Sequence, residues 1–140
     1  KFQFESIRSN FGNTISANSS SYFLGKIAFE EDDFVNSSLH LNDFLKYSDD
    51  DDILVCGAIK LMTEISLKNN DSEEALKNLN KAKNYNFSNS LMLDLELMKV
   101  AIFMIMDDSK NGKVILEEIS GQKNLPSHIK QRVDELYGMI

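Results

Sequence analysis

The sequence predicts an all-α protein made of three successive helix-turn-helix pairs and a closing helix. Three observations predict it. Apolar residues recur at helical spacing along most of the chain, and no stretch alternates apolar and polar residues as a half-buried strand would. A single proline leaves little to interrupt a helix. Three strings that begin with aspartate superpose: DFVNSSLHLNDFL at Asp33, DSEEALKNLNKA at Asp71 and DSKNGKVILEEI at Asp108, spaced by 38 and 37 residues.

Residues 1–13 carry Phe2, Phe4 and Ile7 and are expected to be the remnant of a preceding helix or tether. A helix is expected over 14–30, ending in the acidic turn Glu31-Asp32-Asp33. Asp33 is placed to cap a helix over 34–47 with Phe34, Leu41, Phe44 and Leu45 inward. Residues 48–52, Ser-Asp-Asp-Asp-Asp, read as a solvated loop whose last aspartates suit the positive end of the next helix dipole. The loop lacks the glycine and distal glutamate of a calcium site.

The next helix covers 53–68, with Leu61, Met62, Ile65 and Leu67 at helical spacing, until Asn69-Asn70-Asp71 stops it. Asp71 and Glu74 have the spacing of a capping box for a helix over 72–84, which carries Ala75, Leu76, Leu79 and Ala82. So short a turn permits only antiparallel neighbours, an αα-hairpin. Tyr85-Asn86-Phe87-Ser88 is a linker, and Ser88 or Ser90 caps a long helix ending near Met106. Residues 107–111 turn the chain into a helix over 112–120. Pro126 opens the last helix at its preferred first-turn position, with Ile129, Val133, Leu136, Tyr137 and Ile140 on one stripe. The expected core includes Leu61, Ile65, Leu79, Leu95, Ile102 and Leu116. At 140 residues all this is one domain, with three pairs over 14–120 and a capping helix over 126–140.

Composition removes several functions. A net charge of −7 opposes nucleic acid and anionic membrane surfaces, so no nucleic-acid partner is expected. Cys56 is the only cysteine and lies in an apolar run, where a buried, inert thiol is expected. The most apolar stretch, 91–106, is too short to span a bilayer and carries Asp94, Glu96 and Lys99. Because the chain starts at Lys1 rather than Met, a targeting segment or anchor is expected to precede it. His40 and His128 lack metal-site spacing, and no glycine-rich phosphate loop or GxSxG string occurs, so neither an enzyme nor a cofactor is expected.

The repeat carries the functional expectation. Ser37, Ala75 and Gly112 are the small residues that let paired helices approach, each followed four residues later by Leu41, Leu79 or Leu116. Gly25 or Ala28, then Ala58, then Ala101 are the corresponding points expected on the first arms. This pattern resembles the tetratricopeptide repeat (TPR), although Thr63 and Val100 stand where that family has a small residue. The long first helices, and the ending ILEEISGQKNLPSHIKQRVDELYGMI, resemble the YfgM-type family of membrane-anchored bacterial proteins ancillary to the Sec translocon. The resemblance implies a right-handed superhelix and a non-enzymatic module that binds a protein or peptide in a concave groove. It also implies a periplasmic location at the inner membrane, through an anchor outside this chain, and assistance to secretion or protein folding. A cytoplasmic location is the alternative.

In such an architecture the first helix of each pair lines the groove. That assigns partner-binding roles to Tyr22, Lys26 and Phe29, then Lys60, Glu64 and Leu67, then Asp94, Leu97, Ala101 and Met104. Two alternatives stand beside this reading. One is an EF-hand-like calcium loop over 107–118 with Asp107, Ser109, Asn111 and Glu118 as ligands and Gly112 at the sharp turn. The other is a structural subunit that buries apolar helix edges in a homodimer or larger homo-oligomer.

Overall fold

The computed structural model describes residues 15–48 and 52–140. Residues 1–13, with Phe2, Phe4 and Ile7, and most of the acidic loop lie outside the described residues. Within them the helices are α1 (Ile15–Glu30), α2 (Phe34–Tyr47), α3 (Asp52–Lys68), α4 (Ser72–Asn80), α5 (Asn89–Ile105), α6 (Ser109–Ser120) and α7 (Ser127–Met139). A 3-10 turn at Lys81–Asn84 follows α4, and no strand occurs among the described residues.

Each first arm ends in the same way. Asp32, Asn70 and Asp107 sit at φ of 60°, 58° and 58°, in the left-handed region that Asn and Asp tolerate better than most residues. The following N–H groups of Asp33, Asp71 and Asp108 donate back to the carbonyls of Ala28, Ser66 and Phe103, at 2.8, 2.9 and 2.7 Å. This is the Schellman closure, which satisfies carbonyls that a helix end leaves unpaired. The same three aspartates then cap the next helix, accepting from the N–H groups of Asn36, Glu74 and Asn111. One acidic residue thus ends one helix and starts another, three times over. The third cap moves the start of α6 to Ser109, so the turn expected over 107–111 is shorter and Gly112 lies inside the helix.

The arms of each pair meet through residues twelve apart. Ser37 Oγ donates to the Gly25 carbonyl at 2.7 Å, and a Cβ on Gly25 would lie 2.8 Å from Leu41. Gly112 lies against Val100, whose Cγ1 would be 3.5 Å from an added Cβ. Thr63 and Ala75 hold the same positions in the middle pair, both fully buried. As the first-arm residue grows from Gly25 to Thr63 to Val100, the second-arm residue shrinks from Ser37 to Ala75 to Gly112. Ala58 and Ala101 are therefore not the points of closest approach. In the middle pair the Asn78 side-chain N–H also donates to the Met62 carbonyl and to Ser66 Oγ, at 3.2 and 2.9 Å.

Two apolar clusters share α5. Leu95 and Ile102 belong to one cluster with Leu41, Phe44, Ile59, Ile65 and Leu79. Leu93, Leu97 and Val100 belong to the other with Leu116, Ile119, Ile129, Val133 and Leu136. A helix packed on both flanks must be apolar nearly all round, which accounts for its Met- and Leu-rich sequence. Of the expected core residues only Leu61 is left partly exposed. The linker also contributes, because Phe87 is buried in the first cluster and stacks on Tyr85 at 5.4 Å. Pro126 stands one position ahead of α7, and Ile140 is half exposed, so the buried stripe of α7 is Ile129, Val133 and Leu136.

Substitutions at the two close-contact glycines are expected to diverge. Gly112→Ala adds a Cβ at ordinary contact distance and gains helix propensity of about 1 kcal/mol, raising the melting temperature. Gly25→Ala forces the fully buried Leu41 aside, an overpacking cost of about 1–3 kcal/mol that offsets the same gain, so the melting temperature falls or stays flat. Equal stabilisation of both variants would refute the close-contact assignment. Leu79→Ala, in a site 1% exposed, is expected to cost about 2–5 kcal/mol in urea unfolding.

Candidate functional site

Three of the odd-numbered helices, α3, α5 and α7, run side by side in one direction. Lys60 Nζ reaches Asp94 Oδ2 at 3.6 Å, and Asp94 Oδ1 lies 3.8 Å from His128 Nε2. Each step in that row is 34 residues, one helix to the next. Four residues further along each helix come Glu64, Met98 and Arg132, and beyond them Leu67, Ala101, Ile102 and Ile105. These rows line an open groove of about 560 Å³ with a polar end, an apolar floor and a far end at Leu67 and Ile105. That volume falls within the range of ligand-sized clefts, roughly 300–1,000 Å³.

Six of the residues assigned to the groove from sequence are brought together there: Lys60, Glu64, Leu67, Asp94, Leu97 and Ala101. The first pair departs from that assignment. Tyr22 is buried, tilted against Phe44 with ring centroids 5.5 Å apart, and its hydroxyl would meet a Cβ on Gly57 at 2.7 Å. It is a core wedge among α1, α2 and α3, since a ring so covered cannot also face a partner. Phe29 packs on Phe34 at 5.6 Å and is half-buried. Lys26 is exposed but does not line the groove. Met104 turns toward the second apolar cluster instead.

His128 and Arg132 on α7 are groove residues that the sequence reading did not assign. The signal for His128 is the 34-residue step from Lys60 to Asp94 to His128, which a purely capping role for 126–140 leaves unread. Arg132 also bonds Glu135 at 3.2 Å along its own helix. The Lys60–Asp94 and His128–Asp94 contacts are partly exposed, so each is worth at most about 1 kcal/mol and serves mainly to set register between helices.

The calcium loop expected over 107–118 does not form. From Ser109 onward the string is helix, which puts Glu118 about 13 Å along the axis from Ser109. Asn111 spends its side-chain amide on Asp108 at 2.6 Å, and Gly112 is buried against Val100 rather than turning the chain. The oxygens of Asp107, Ser109, Asn111 and Glu118 therefore do not converge. Among the described residues no group of three or more His, Cys, Asp or Glu side chains is placed to hold a metal ion.

Cys56 is buried on α3, near enough to Lys60 and Asp94 to feel both charges. Burial raises its thiol above the ordinary 9.0, Lys60 draws it down and Asp94 pushes it up again. Burial likewise raises the Tyr85 hydroxyl above 10.0. Both groups hold their proton more tightly folded than unfolded. Their contribution to stability is fully present below the unfolded value and is lost as pH rises through the higher folded one. Chemical-denaturation midpoints are thus expected to drop as pH rises past 9.0, and Cys56→Ala should flatten the first part of that drop. An identical slope in the variant would remove Cys56 as a contributor.

No protein-family model, curated protein or solved structure matches this chain.

Proposed function

We propose that the protein is a non-enzymatic interaction module, a tetratricopeptide-like superhelix of three repeats and a capping helix that holds a protein or peptide segment in the α3–α5–α7 groove. The observation that carries this reading is the groove itself, where three parallel helices leave an apolar floor open between charged walls. The recurring Asp-capped Schellman turn and the twelve-residue arm contact support the repeat. Such a surface suits segments that bury apolar side chains while their polar groups stay at the rim.

Placement at the periplasmic face of the inner membrane, with a role in secretion or envelope-protein folding, rests on the sequence resemblance alone. Among the described residues no helix is long and apolar enough to cross a membrane; the tether in this reading comes from the resemblance. A full-length N-terminus with a basic patch followed by about twenty apolar residues supports it. Self-association is a second reading favoured by one observation: Val35 and Leu39, one turn apart on α2, are 75% and 62% exposed. Light scattering of the wild type and of Val35→Lys/Leu39→Lys distinguishes it.

The groove is tested by selecting peptides from a display library on the wild-type domain and measuring them against Ala101→Glu and Ile105→Glu. Ile105 is 64% exposed, so its variant keeps the fold even where the half-buried Ala101 variant does not. Selected peptides are expected to lose about tenfold or more in affinity, the equivalent of about 1.4 kcal/mol. Peptides that bind wild type and Ile105→Glu alike would place the binding surface elsewhere.

A further inference from the structure

We draw no further inference here: the strongest candidate, the open apolar groove between α3, α5 and α7, is formally neutral and bordered by turns whose carboxylates Lys68, Lys77, Lys110 and Lys113 nearly balance, so nothing in the structure shows what covers it.

Discussion

The distance of approach within each helix pair is the constraint on which the rest of the structure depends. Two helices pack closely only where the side chains between them are small, and interiors tolerate neither gaps nor overlap. Here the restriction acts on the pair of facing residues and not on either one. Glycine faces serine in the first pair and valine faces glycine in the third, with threonine and alanine at the equivalent positions of the middle pair, so the combined bulk stays similar while its owner changes. In the first pair the Ser37 hydroxyl also takes the Gly25 carbonyl as acceptor. With that spacing held, the three hairpins present similar flanks and stack on one another.

The turns do the complementary work of fixing direction. An aspartate whose N–H donates the helix-ending hydrogen bond and whose carboxylate caps the next helix reverses the chain in three residues. Repetition of that turn keeps alternate helices parallel, which is why Lys60, Asp94 and His128 fall in one row although 34 residues separate each from the next. The groove follows from this parallel set. It lies where α3, α5 and α7 leave a trough, and its apolar floor comes from α5, a helix too apolar for any single flank to cover.

The same turns place Asp32 and Asp33, Asn70 and Asp71, and Asp107 and Asp108 at the junction of each pair, with Lys68 and Lys110 exposed beside the second and third. Asp and Asn are favoured there for local reasons, namely capping and tolerance of positive φ.

The sequence by itself determined the helices, because apolar periodicity, aspartate caps and the 38- and 37-residue spacing are local or simply periodic signals. Spacings of three and four put Lys60, Glu64 and Leu67 on one helix face and Asp94, Leu97 and Ala101 on another, and all six line the groove. What the sequence could not supply was the neighbour across from each residue. Val100 looks like a departure from a small-residue pattern until Gly112 is found opposite it, and Thr63 and Ala75 hold the same register, both fully buried. Tyr22 has the spacing of a groove residue, but the chain returns at Phe44 and Gly57 to bury it. The string at 107–118 has calcium-loop spacing, and the Asp108 cap makes it helix instead. His128 and Arg132 join the groove because α7 packs beside α5. Tertiary structure decided these cases, because exposure belongs to pairs of surfaces, and a periodic sequence names only one surface of each pair.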